Sequence, residues 1–286
     1  MRLTDGLGNQ LFQYAAAATL QARTGAEIGF LVDAFDSVHA RPDRPLLLPE
    51  LVDCRDQLIR TRSARGLAAV AIHRLLRPRG TAVRHVPGIC HIAADAGCHP
   101  GFARIRDPML VAGFFQAWAC VEPGVDAVQA AVRKRFGPRM TAARKALETR
   151  LAGTGRIVAL HLRLGDYLTI GDGQEAVVPV ARVRAVLAGL EPEARVIAFT
   201  DTPDALDAID FGRPVPRFPG ATALDDFAAM AACDDFVIAN STFSWWASSL
   251  GDTAGKRVWV PRDWKRPARP GSDSDNPIYR PDHRRY

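Results

Sequence analysis

His161 and Arg163 stand two residues apart in the segment HLRLGDY, residues 161–167. On an extended backbone such residues point the same way. The planar fork of an arginine holds two phosphate oxygens at once, which a lysine does less well. The plain alternative for Arg163 is a surface ion pair at a strand end. A second cluster, ANSTFSWW at 239–246, spans the point where an apolar run ends and a helical pattern begins. Ser241 and Thr242 there are candidate helix caps. The free N–H groups of such a helix start also attract anions, so Asn240, Ser241 and Thr242 together favour a pyrophosphate. Trp245 and Trp246 are expected to pack the helix against a sheet.

A third group, DDFAAMAACDDF, opens with Asp225 and Asp226 early in a helix, where carboxylates favour the macrodipole. Capping explains such a pair. The functional alternative is that Asp226 reads guanine, whose ring N–H and exocyclic amine donate a parallel pair of hydrogen bonds that adenine cannot offer. The opening GLGNQ, residues 6–10, lacks the third glycine of a dinucleotide fingerprint and has almost no strand before it. It reads better as a tight loop presenting Asn9, a neutral amide able to orient a sugar hydroxyl.

These groups need a scaffold. From Gly153 onward, strand and helix patterns alternate: RIVALHLR, VPVARVRAVLAGL, VIAFTD, PDALDAI, ATALDDFAAMAAC, DFVIAN, STFSWWASSLG and RVWV. Such alternation implies a parallel, doubly wound sheet, whose ligands bind outside the carboxyl ends of the strands. His161, Arg163, Asp201 and Asn240 to Thr242 all fall at those ends. The first half is less regular. A helix follows the GLGNQ loop and stops at Gly25, and residues 28–32 and 109–116 read as buried strands. Residues 62–77 form a helix, and 125–151 one or two helices broken at Gly137-Pro138. With 286 residues, two domains are expected, 1–152 and 153–286.

Composition narrows the class. Hydrophobic residues are 48% and charged residues 24%, as in an ordinary globular chain, and the net charge of +6 suits an anionic ligand, a nucleic acid or an anionic membrane surface without choosing among them. No run approaches membrane-spanning length, and MRLTDGLGNQ lacks a signal-peptide layout, so the expected compartment is the cytoplasm. Five cysteines without framework spacing fit buried thiols in a reducing compartment. Cys90-His91 and Cys98-His99 lack zinc-finger spacing, and no metal is expected there. Residues 55–84 hold eight arginines. The helix inside sets Leu67, Val70, Ala71 and Leu75 against Arg62, Arg65, Arg74 and Arg77, either an ordinary packed helix or weak peripheral contact with the anionic inner membrane.

Taken together, DGLGNQLFQYA (5–15), GFFQAW (113–118), HLRLGDY, FTD (199–201) and the run 225–250 resemble the α-1,2-fucosyltransferases of glycosyltransferase family 11. The likeness extends to WVPRDW at 259–264. The α-1,6- and protein O-fucosyltransferases share the HxR element more distantly. The resemblance implies a GT-B-like α/β fold of two Rossmann-like domains, the second holding GDP-β-L-fucose and the first facing the acceptor. It implies inversion at the anomeric carbon, no metal or other cofactor, no nucleic-acid partner, and transfer to a glycan, α-1,2 to galactose, in bacterial surface polysaccharide synthesis, a setting in which acceptors are often built on lipid carriers.

By motif, Arg163 would hold the β-phosphate and help GDP leave. His161 and Asp226 would contact guanine; Ser241, Thr242 and Phe243 would line the phosphate and nucleoside pocket, with Asn240 beside them. Asn9 would lie near the reaction centre with Gly8 in the same loop, and Asp201 near the nucleotide. Asp166, Asp172 and Glu175 are the nearby carboxylates for a general base. Three positions depart from the family pattern: Leu164 replaces a second arginine, Asp5 replaces a loop glycine, and Asp201-Thr202 replaces an acidic pair. Rival readings are a transferase of another GDP-sugar or onto a protein, a dinucleotide oxidoreductase, and a non-catalytic nucleotide-binding protein.

Overall fold

The structure, a computed structural model, describes residues 1–37, 40–76, 83–86, 89–94, 102, 110–163, 178–251, 253–264 and 278–286. The chain divides into two compact units, Met1–Phe136 with Pro277–Tyr279, and Gly137–Asn276 with Arg280–Tyr286.

In the first unit, helix α1 (Leu7–Thr24) ends at Gly25, whose φ of 69° is the left-handed geometry that glycine adopts without steric cost. It begins at Leu7, so most of the expected GLGNQ loop is already its first turn. Nearly every residue from Leu7 to Leu20 on it is buried. Short strands β1 (Phe30–Leu31) and β2 (Leu58–Ile59) pair in parallel, and Arg2 forms a further parallel bridge to Leu31. Helices α2 (Asp33–Asp36) and α3 (Leu48–Leu51) lie between these strands in sequence, and α4 (Ala64–Leu76) follows them. Strands β3 (Val83–Val86), β4 (Ile89–Ala94) and β5 (Ala112–Gly113) form a second small sheet. Among the described residues of the expected 109–116 strand, Ala112 and Gly113 pair with β4, and Val111 accepts the Arg2 N–H.

Helix α5 (Trp118–Arg150) corrects another expectation: it continues through Gly137-Pro138. Proline removes one intrahelical donor, yet the helix is long enough to carry that loss. The Gly-Pro signal coincides instead with the division between the units, which falls inside α5 rather than at its end. Early in α5, a Cβ on Gly124 would lie 2.4 Å from the Ala15 carbonyl, so only glycine allows this approach to α1.

The second unit is built on one five-stranded, all-parallel sheet. Its strands are β6 (Ile157–Leu162), β7 (Arg195–Thr200), β8 (Asp235–Val237), β9 (Val258–Val260) and β10 (Arg284–Arg285), in the order β10-β9-β8-β6-β7. The helices between them are α6 (Val180–Ala188), α7 (Pro203–Asp207), α8 (Ala223–Ala231) and α9 (Thr242–Leu250). Every residue of β6 is buried, as a central parallel strand requires. Val158, Leu160 and Leu162 join Val183 and Leu187 of α6 in one apolar cluster. The strand's period of two therefore sends His161 to the opposite face.

An ionic anchor joins the starts of three strands, away from their carboxyl ends. The fully buried Asp235 accepts from Arg156 at 2.7 Å and from Arg257 at 2.6 Å, and Asp234 accepts from the Ile157 N–H at 2.7 Å. Each arginine precedes its strand by one residue, so the second acidic pair of DDFAAMAACDDF is structural. The α/β expectation holds, and the expected parallel sheet is present in the second unit. Cys54 and Cys233 are buried thiols as expected, but Cys120 is disulfide-bonded, which spacing along the chain does not reveal. Among the described residues no helix is long and apolar enough to cross a membrane, and no group of three His, Cys, Asp or Glu side chains is arranged to hold a metal.

Candidate functional site

Asp225 and Asp226 are chemically alike and sit in different surroundings. Thr222 is the N-cap of α8, and its hydroxyl oxygen accepts the Asp225 N–H at 3.2 Å while donating to Asp225 Oδ2 at 2.7 Å. Arg139 adds a 2.6 Å ion pair to the same carboxylate. Asp225 thus completes a capping box and is held well below the usual carboxylate range by Arg139 and Thr222. Asp226 has no side-chain hydrogen bond among the described residues. Burial, and then the charge of Asp225, push it up to about 6.

The wall beside Asp226 comes from a residue that the motifs did not single out. A Cβ on Gly220 would lie 1.8 Å from Asp226 Oδ1. Gly220 follows a segment tied to the sheet edge, where the Ala198 N–H donates to Pro216 and the Phe218 N–H donates to Ala198. The Phe218 ring also tilts against Phe199 of β7, with centroids 5.2 Å apart. A Pro-Gly pair just before a capped helix is the one sequence signal that marks this position.

His161, near the carboxyl end of β6, is 8% exposed and its Nδ1 has no hydrogen-bond partner. Burial, reinforced by Arg163, lowers its pKa to about 4, so the imidazole is neutral at pH 7 with one ring nitrogen unused. Its ring lies 6.2 Å from that of Phe243 on α9, and Phe243 meets Phe227 of α8 edge-on at 5.1 Å. An aromatic series therefore runs from β6 across α9 to α8, one residue from Asp226. Arg163 Nε lies 3.9 Å from Asp201 Oδ2, a loose pair with both groups partly in solvent. This contact is a partly solvent-exposed ion pair of the plain kind expected at a strand end.

Ser241 occupies the N-cap position of α9, but its side chain caps nothing, contrary to the expected role. Its carbonyl accepts instead from the Trp245 N–H and the Ser244 hydroxyl. The first-turn N–H groups of α9 are thus left without that cap, next to Thr242 and Phe243. The Asn240 amide donates to the Trp264 carbonyl at 3.1 Å and so braces the WVPRDW segment. Trp245 and Trp246 are fully buried, as expected. Asp166, Asp172, Glu175 and the substituted Leu164 lie outside the described residues.

In the first unit, Gly8 and Asn9 sit buried in the first turn of α1. Asn9 donates to Asp5 and accepts from Gln116. Two further glutamines of the opening motif, Gln10 and Gln13, bracket this turn. Gln10 donates to the carbonyls of Asp5 and Pro45 and accepts from the N–H groups of Leu47 and Leu48. Gln13 bonds Thr4 and Gly113. Both are completely buried inside a helix that is otherwise apolar there, and that is the sequence signal for them.

The family model described as glycosyl transferase family 11 matches residues 139–265. The O-antigen biosynthesis glycosyltransferase WbnK of Escherichia coli is 22% identical over 284 residues, covering 92% of this chain and 93% of that protein. Among solved structures, the chain is similar to the α-1,6-fucosyltransferase NodZ from Bradyrhizobium soaked with GDP-fucose. That likeness has a TM-score of 0.49 and 17% identity, over 87% of this chain and 90% of that one. It is also similar to POFUT1 in complex with GDP, with a TM-score of 0.44 and 14% identity, over 89% and 96% of the two chains. The segment that matches the glycosyl transferase family 11 model, 139–265, holds β6 to β9 and every second-unit residue just described, so the likeness to that family falls on the parallel sheet and the candidate site.

Proposed function

We propose that this glycosyltransferase moves L-fucose from GDP-fucose to a glycan hydroxyl, with inversion and without a metal, forming an α-1,2 linkage to galactose. The observation that carries the reading is Asp226. Its neighbour meets the needs of the helix, yet Asp226 keeps a half-buried carboxylate without a hydrogen-bond partner among the described residues, and guanine's two donors answer that need. His161, with Nδ1 open beside Phe243, lines the same base. Arg163 and the uncapped first turn of α9, at Ser241, Thr242 and Phe243, take the pyrophosphate, with Asp201 holding Arg163 loosely. Charge then develops on the leaving GDP where fixed donors already stand, which is the work a metal does elsewhere. The acceptor oxygen attacks the anomeric carbon from the opposite face, and its proton passes to a carboxylate of the 166–175 segment, Asp166 first. Asn9 and Gly8 belong near the reaction centre. The WbnK likeness supports a role in bacterial surface polysaccharide synthesis.

The test is GDP titration by calorimetry. Wild-type affinity should fall as pH drops below about 6 and Asp226 takes a proton. Asp226→Asn, whose amide turns an N–H toward a guanine donor, should bind roughly tenfold or more weakly at pH 8 and lose that pH dependence. Equal affinities at pH 8 would leave Asp226 without the guanine role.

A second observation bears on location. Leu67 and Leu75, on one face of α4 with Ala71 between them, are 62% and 78% exposed. Arg62, Arg65 and Arg74 are exposed around them. An apolar stripe that faces water between arginines suits an anionic membrane surface, where each basic residue adds about 1 kcal/mol. We infer weak peripheral contact of this kind, suited to a lipid-linked acceptor.

A further inference from the structure

Among the described residues, two that are not glycine have positive φ, Asp5 at 66° and Phe115 at 53°. Backbone strain of this sort persists only where surrounding structure over-determines it, and it gathers at functional positions. The two lie on either side of one hydrogen-bonded series in the first unit. Arg44 Nη1 donates to Asp5 Oδ1 at 2.5 Å, Asn9 Nδ2 donates to Asp5 Oδ2 at 3.0 Å, and Gln116 Nε2 donates to Asn9 Oδ1 at 2.8 Å. Gln116 directly follows Phe115, which is fully buried against Phe102, and Asn9 is 8% exposed.

The chemistry of the series fixes its direction. An ionised carboxylate only accepts, so the side of Asn9 facing Asp5 must be its NH₂ group and the side facing Gln116 its oxygen. Arg44 pairs with the same carboxylate at 2.5 Å. With a neutral residue at position 5, the Asn9 amide has no group to set its orientation, and it can turn over together with Gln116. In the fixed orientation Asn9 retains one N–H and one oxygen lone pair, the complement of a hydroxyl group, which accepts one hydrogen bond and donates another.

We propose that Asp5 and Gln116 are positioning residues that orient the Asn9 amide to hold a hydroxyl of the reacting sugars. The proposal rests on the reading of Asn9 as a residue near the reaction centre. Asp5 stands where the family pattern has glycine, so this chain gains a fixed amide and bears a left-handed aspartate in return.

The experiment uses Asp5→Gly, which suits the local φ, alongside Asn9→Ala. Side-chain amide protons of Asn9 are followed by NMR in protein labelled with ¹⁵N-asparagine, and turnover is followed as GDP release from GDP-fucose with a galactose-terminated acceptor. Asp5→Gly should remain folded, with GDP affinity unchanged. Its Asn9 amide protons should exchange faster with solvent, and its kcat should fall on the order of 10- to 100-fold. Unchanged exchange and unchanged kcat in Asp5→Gly, with Asn9→Ala strongly impaired, would overturn the positioning role and leave the Asn9 reading intact. Wild-type turnover in Asn9→Ala would remove that reading and the proposal with it.

Discussion

A methyl group placed on Gly220 would lie 1.8 Å from Oδ1 of Asp226, so the main chain before α8 forms one wall around that carboxylate. The Gly220 backbone does not adopt positive φ, and substitution there meets a steric rather than a conformational obstacle. Gly220→Ala should therefore fold normally while displacing Asp226. GDP affinity is expected to fall roughly tenfold, the loss typical of a mispaired buried donor, with little change in Tm. Calorimetric titration beside a thermal melt checks this. Unchanged GDP affinity would separate Gly220 from the nucleotide.

Stability should depend on acid in a way that these residues set. His161 and His283 are both lowered to about 4 by burial, and His283 accepts the Arg280 N–H through Nδ1 in its neutral form. Between pH 6.5 and 4 the unfolded chain binds these protons and the folded chain does not, so stability is lost as pH falls. Each histidine contributes up to about 1.4 kcal/mol per pH unit. Asp226, raised to about 6, acts oppositely: below pH 6 the folded state takes its proton first and gains. Asp226→Asn removes that gain. The variant should be more stable than wild type at pH 7, by about 1 kcal/mol after allowing for solvent screening, and should lose stability more steeply toward pH 4.5. Thermal melts across this range decide it. A shallower slope in the variant would contradict the assignment.

The α4 stripe gives a binding prediction that does not involve the nucleotide. Co-sedimentation at low salt should be greater with vesicles containing anionic lipid than with neutral ones. Leu67→Glu with Leu75→Glu should abolish the difference while leaving GDP affinity intact. Equal sedimentation of wild type with both vesicles would leave α4 as an exposed helix without a membrane role.

Much of the second unit was readable in the sequence because its signals are local. RIVALHLR reads as a strand, and the alternation after Gly153 implies the parallel sheet and the ends at which His161, Arg163 and Asn240 fall. What escaped depends on residues distant in the chain. Arg139 meets Asp225 across 86 positions, and without it the two aspartates look interchangeable. Strand β10 consists of Arg284 and Arg285, two arginines that carry no strand pattern of their own. They pair with β9 because Tyr286 donates its hydroxyl to Ile238 and Arg284 lies over the Trp259 ring. The break expected at Gly137-Pro138 failed because a 33-residue helix outweighs one missing hydrogen bond. In the opening motif, Asn9 was visible as a candidate. The carboxylate that orients it was not, since Asp5 looked like a lost glycine.

The most direct measurement mixes the protein with GDP-fucose and galactose-terminated glycans in excess chelator, with GDP-mannose and UDP-galactose as competing donors and Arg163→Ala as control. Product is read by mass spectrometry and linkage analysis. α-1,2-Fucosylated product should form from GDP-fucose alone, undiminished by chelator. Arg163→Ala should fold and turn over on the order of 100-fold more slowly. Transfer from another donor only, dependence on added metal, or a folded Arg163→Ala variant with wild-type turnover would contradict the proposed function.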